Sequence, residues 1–112
     1  MTQVRLRPLA EQDLVEQTQY YLAEAGADLA KRFFDTAVET LKTAGDRPAG
    51  GSLRIGELCG IDSLRVRKIS GVPTGWFYFI RPEFVDVVRL LGFAQDLPSE
   101  LAVVRGEVVP DD

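Results

Sequence analysis

The side chains best placed to do chemistry are cationic: Arg65, Arg67 and Lys68 stand close together on one β-prone run, and Arg81 and Arg89 follow on later apolar runs. Guanidinium and ammonium groups of this kind can steady a phosphate as charge builds on it, or grip an anionic surface. Nothing beside them completes a catalytic set. Histidine is absent, which removes the usual general base near neutral pH and the commonest metal ligand, and with it any serine–histidine nucleophile. Cys59 is the only cysteine; it can form no disulfide within the chain and no zinc site of the Cys/His kind, and is read as a small buried or loop residue. Asp13, Glu16, Glu24 and Asp28 converge with no second acidic cluster and are read as solvated helical acids. No metal and no cofactor are expected.

The elements that must position these residues follow from patterning. A chain of 112 residues with 46% hydrophobic content can bury one core, so a single domain over 1–112 is expected, with a loose acidic tail at about 104–112. Thirteen basic against seventeen acidic residues give a formal charge of −4, which disfavours general attraction to nucleic acid. The residues after Met1 do not form a signal-peptide apolar run, and no stretch approaches the roughly 18 apolar residues of a membrane span, so a cytoplasmic location is expected.

Val4 and Leu6 alternate with Arg5 and Arg7 before Pro8, predicting a strand at 3–7. Leu14, Thr18, Tyr21, Leu22 and Ala25 recur at helical spacing, predicting an amphipathic helix over 10–25 that ends at Gly26. A second helix places Ala30, Phe33, Phe34, Ala37, Val38 and Leu41 on one stripe and ends near Ala44-Gly45, so the two helices form a hairpin. Residues 46–62 are dense in turn formers and read as a long connection with one extended piece. Leu64–Ile69, Trp76–Arg81 and Phe84–Leu91 are aromatic and β-branched runs joined by short loops, predicting a three-stranded antiparallel meander. The fold class is α+β: the helix hairpin packs on an antiparallel sheet made of the N-terminal strand and the meander. Neither face of the Trp76–Ile80 run is polar, which requires helices on one side and some further cover, such as a partner, on the other.

Each candidate has a bland alternative. Arg65 and Arg67 share a strand face and present a cationic pair, unless that face is simply solvated. Arg89, beside Val87 and Leu91, needs acceptors: it either pairs internally, with Asp96 as the nearest choice, or faces a binding surface. Trp76, Tyr78, Tyr20 and Tyr21 are either anchors for a partner or core packing.

Three segments taken together resemble the RelE/ParE toxin superfamily, most closely its ParE branch: Ala10-Glu11-Gln12-Asp13-Leu14 with Tyr20-Tyr21; Ala30-Lys31-Arg32-Phe33-Phe34 with Leu41; and Val87 to Pro98, including Arg89-Leu90-Leu91 and Asp96-Leu97-Pro98. The resemblance covers roughly residues 4–100. Where the family commonly reads Arg-Val-Leu-His-Gly-Ala-Arg-Asp, Gly92, Phe93 and Gln95 stand in place of the histidine, the glycine and the second arginine.

The resemblance implies the toxin of a type II toxin–antitoxin system, inhibiting DNA gyrase by binding rather than by chemistry of its own and neutralised by a cognate antitoxin. Arg65, Arg67, Lys68, Arg81 and Arg89 are then the target-binding candidates, and Tyr20, Tyr21, Trp76 and Tyr78 the antitoxin-binding ones. The antitoxin is expected to lay a helix against the helix pair and add a strand to an open sheet edge. Two alternatives stay open. One is a RelE-like ribosome-dependent ribonuclease acting on messenger RNA, against which stand the charge and the lack of any tyrosine beyond Tyr78. The other is a non-toxic regulatory or assembly partner that keeps the fold.

Overall fold

A computed structural model describes residues 2–107. The chain begins with strand β1 (Gln3–Leu6), followed by helices α1 (Pro8–Ala25) and α2 (Ala27–Asp46). Arg7 is extended, as the residue before a proline prefers, and Pro8 opens α1 where its missing N–H costs no helical bond. A single glycine joins the helices: Gly26 has φ 94°, a conformation that strains any residue with a Cβ, and its N–H caps the Leu22 carbonyl.

The connection that follows is more structured than a loop. It holds a 3₁₀ turn (Pro48–Gly50), a bridge between Ser52 and Val66, and a short helix α3 (Arg54–Leu58). Strands β2 (Arg65–Lys68), β3 (Thr74–Ile80) and β4 (Phe84–Gly92) form the expected meander, and the chain continues through a helical turn α4 (Leu97–Glu100) and a 3₁₀ turn (Ala102–Val104).

The sheet order is β1-β4-β3-β2. The N-terminal strand departs from the expected antiparallel arrangement, because β1 runs parallel to β4, with Leu6 level with Val87. The reason is a matter of reversals. The helix hairpin returns the chain beside its own start, where the Thr2 N–H donates to the Gly45 carbonyl at 3.1 Å. β2 therefore departs in the sense of β1, and after two hairpins β4 runs the same way.

Two cores flank the sheet. On the helix side Trp76, Tyr78, Val85, Val87 and Leu90 pack against Ala10, Leu14, Phe33 and Ala37. On the other side Phe77, Phe79, Val88 and Leu91 are covered by Ile61, Leu64, Leu101 and Val104. The chain's own 61–64 and C-terminal segments thus supply the expected further cover, for which a partner was one candidate. The tail is corrected: Val104 is buried and Glu107 is ion-paired to Arg7, so 104–107 are held, and the rest of the expected acidic tail lies outside the described residues.

One irregularity aims the later site. Phe77 pairs with Arg89 while Tyr78 pairs with Val87, so Val88 is an extra residue in β4. This bulge switches the side-chain parity: Val85 and Val87 face the helices, and so does Leu90, while Arg89 is in register with Phe77.

Candidate target-binding surface

The five cationic candidates divide by what holds them. Arg65 donates to two main-chain carbonyls, Ala49 at 3.0 Å and Gly51 at 2.9 Å. Arg67 donates to the Arg47 carbonyl, and its Nε is buried without a partner. Lys68 is exposed and reaches only the Ile69 carbonyl, at 3.4 Å. Among the described residues none of these three forms an ion pair. A carbonyl fixes a guanidinium without cancelling its charge, so the charge of these three is met by no ion pair. The 3₁₀ turn lies close against it: a Cβ at Gly50 would collide with the Arg67 guanidinium, and one at Gly51 with the Tyr78 hydroxyl.

Arg81 and Arg89, by contrast, are neutralised. Arg81 donates to Asp86 through Nε at 3.1 Å and Nη2 at 2.9 Å. The same carboxylate takes a bidentate contact from Arg7 at 2.9 and 3.0 Å, and Glu107 closes the cluster onto Arg7 at 2.9 Å. Burial pushes the Asp86 carboxyl up, but the hydrogen bonds and charges of Arg7 and Arg81 outweigh it and hold it below the usual carboxylate range. Glu107 is held low too, chiefly by its hydrogen bond from Arg7, whose own pKa is raised in return.

Arg89 does not meet Asp96, as expected, but Asp13. Nε and Nη2 grip the two carboxylate oxygens at 2.7 and 3.0 Å, and Nη2 lies 3.3 Å from the Glu100 carboxylate. The Asp13 hydrogen bond is the main cause raising the Arg89 pKa. Asp96 lies elsewhere, accepting from Ser99 at the start of α4. Asp13 is therefore not a solvated acid: it is 7% exposed and also accepts the Leu90 N–H at 3.0 Å. The Gln17 amide donates to the Leu90 carbonyl at 2.8 Å. Since β1 ends level with Val87, these α1 side chains satisfy β4 where no neighbouring strand remains.

The aromatic candidates divide as sharply. Trp76 and Tyr78 are fully buried, which corrects their reading as antitoxin contacts: the Trp76 indole donates to the Ala37 carbonyl at 2.9 Å and the Tyr78 hydroxyl to Pro48 at 2.6 Å. Desolvation raises the Tyr78 pKa, keeping that hydroxyl a donor. Tyr20 is 61% exposed, whereas Tyr21 packs on Phe33 with ring centroids 4.7 Å apart. Apolar grooves of about 470 and 510 Å³ flank Pro73 and meet at Tyr21, lying between the helix hairpin and the β2–β3 turn. Leu22, Phe34 and Val38, expected on the inward stripes, are instead exposed at 52%, 42% and 37%.

The departures at Gly92, Phe93 and Gln95 have structural employment. The Gln95 side chain accepts the Gly92 N–H at 2.7 Å, and the Phe93 N–H donates to Pro73 at 2.8 Å, tying the end of β4 to the β2–β3 turn.

Among solved structures the chain is similar to one in "Chromosomal ParDE TA system from P. aeruginosa": the TM-score is 0.71 at 17% identity, over 82% of this chain and 96% of that one. The chain has a ParE-like fold. No family model matches the sequence, and no curated protein does.

Two signals could have exposed the missed contacts. Asp13 and Gln17 lie on the same helical stripe as Ala10, Leu14 and Tyr21, and Asp86, like Arg89, interrupts the apolar run of β4. A carboxylate placed where a core side chain belongs requires cations around it.

Proposed function

We propose that this chain is the toxin of a type II toxin–antitoxin pair, that it acts in the cytoplasm by binding DNA gyrase, without chemistry of its own, and that a cognate antitoxin silences it. The observation that supports this reading is the fold likeness to a chain of a ParDE system over nearly all of that chain's length. The Arg65–Arg67 edge is the target-contacting surface, because its charge is left uncancelled while Arg81 and Arg89 are occupied by carboxylates.

Against the ribonuclease alternative stand the formal charge of −4 and the lack of any tyrosine beyond Tyr78. The test is a gyrase supercoiling and cleavage assay with the purified chain, run beside ribosome-dependent cleavage of messenger RNA. Gyrase inhibition with intact RNA is the expected result. RNA cleavage with unaffected gyrase would replace this reading by the ribonuclease one, and neither activity in a folded sample would favour the non-toxic partner.

A further inference from the structure

Residues 47–54 and 65–68 hold five cations, Arg47, Arg54, Arg65, Arg67 and Lys68, and no carboxylate, in a chain whose formal charge is −4. The fold brings the two segments together. The antiparallel bridge between Ser52 and Val66 lays the first along β2, and the Arg67 guanidinium donates to the Arg47 carbonyl. Arg47, Arg54 and Lys68 are exposed, and Arg65 and Arg67 are half-buried. Among the described residues none of the five forms an ion pair.

Arg65 is the best prepared of them. Its bonds to the carbonyls of Ala49 and Gly51 both leave from Nη1, so the head group is fixed through one nitrogen. Nε and Nη2 meet no acceptor among the described residues, and neither is buried. These two nitrogens form the edge of the guanidinium plane that grips two oxygens of one phosphate or carboxylate. An oxyanion is therefore the ligand that this side chain lacks.

Phosphodiester and carboxylate share that chemistry, and the neighbours of Arg65 favour the first. Arg65 and Arg67 share a strand face about 6.6 Å apart along β2, with Arg47 beside Arg67 and Lys68 next along the strand. Charges set out in a line match a backbone with a phosphate at every nucleotide better than the scattered carboxylates of a protein surface. The strip is also short. Asp46 precedes it, and Glu57 and Asp62 share a recess with Arg65. Carboxylates so placed repel a polyanion that runs past the strip, so free DNA is held weakly and a few phosphates at most are engaged.

We infer that the β2 strip contacts the phosphate backbone of the duplex that gyrase holds, with the Nε–Nη2 edge of Arg65 on one phosphate and Arg67, Arg47 and Lys68 against its neighbours. The inference rests on the gyrase reading and deepens it. The target surface is composite: the enzyme supplies the docking and its DNA the anion, with no reading of bases.

The experiment titrates the full chain into gyrase, with and without a bound duplex, at several salt concentrations. Duplex should tighten binding at least about tenfold, and the logarithm of that gain should fall against the logarithm of salt with a slope of about −2, as two phosphates require. In Arg65→Gln, checked for an unchanged thermal midpoint, the ratio of affinities with and without duplex should shrink to about twofold. An unchanged ratio in that variant, with both affinities lowered, would mean that Arg65 meets a carboxylate of the enzyme, and would overturn the DNA assignment. The wild-type chain decides the matter independently of any variant's folding. Affinity indifferent to duplex, or a gain that salt does not erode, would overturn the assignment and leave the gyrase reading standing. No binding to gyrase in either form would overturn both.

Discussion

The β2 edge and the far end of β4 carry the same side chain for opposite purposes. At β2 the guanidinium groups of Arg65 and Arg67 end on main-chain carbonyls and keep their charge. At β4 Arg89 ends on a carboxylate that is itself buried, and Arg81 shares Asp86 with Arg7. An arginine held by carbonyls can be removed with little loss, because neutral acceptors are left behind. An arginine held by a buried carboxylate cannot, because the survivor is an unpaired charge out of water. The first arrangement suits a surface that must meet something else, the second a joint that must hold.

Mutation of the joint is the most severe way to test this difference. Asp13→Ala strands Arg89, whose side chain is 14% exposed, and orphans the Leu90 N–H; it should cost about 3–5 kcal/mol, read as a lower urea midpoint. Acid should attack the second carboxylate cluster. Asp86 and Glu107 are held low, so their stabilisation is present above an ordinary carboxylate pKa of about 4 and is lost as pH falls through their depressed folded values. A thermal midpoint measured down to about pH 3 should fall less steeply in Asp86→Asn than in the wild type.

The contrast sharpens with the double variant Arg65→Ala, Arg67→Ala. It should change stability by only about 1 kcal/mol yet reduce gyrase inhibition at least about tenfold; equal losses of both would erase the distinction between the two regions. The smallest effect belongs to Glu107→Gln, whose side chain is a third exposed. Its cost should stay below about 1 kcal/mol and vanish in high salt.

The sequence discloses the elements better than their neighbours. The helix hairpin follows from two periodic segments meeting at Gly26, and the meander from short loops between β-branched runs. The direction of β1 is hidden, because its partner lies beyond the whole helix hairpin and the parity of reversals decides it. The bulge is hidden too: Val87 through Leu91 contains too few polar residues for a break in alternation to show. For the candidate surface, the arginines were legible as cations, but their acceptors were not. Asp96 stands near Arg89 in sequence, whereas Asp13 reaches it only because α1 crosses β4. Trp76 and Tyr78 misled for a related reason, since their polar ends find carbonyls inside the fold.

The use of helix side chains in place of a strand at Leu90 bears on how the chain assembles. The meander could zip from local hairpins, but its longest strand keeps an unsatisfied N–H and C=O at Leu90 until Asp13 and Gln17 arrive from the other end of the sequence. Docking of α1 and completion of the sheet at Leu90 are therefore expected to be coupled. A contact so distant in sequence raises the entropic barrier and slows both. Conservative replacements at Gln17 should accordingly retard folding as well as hasten unfolding.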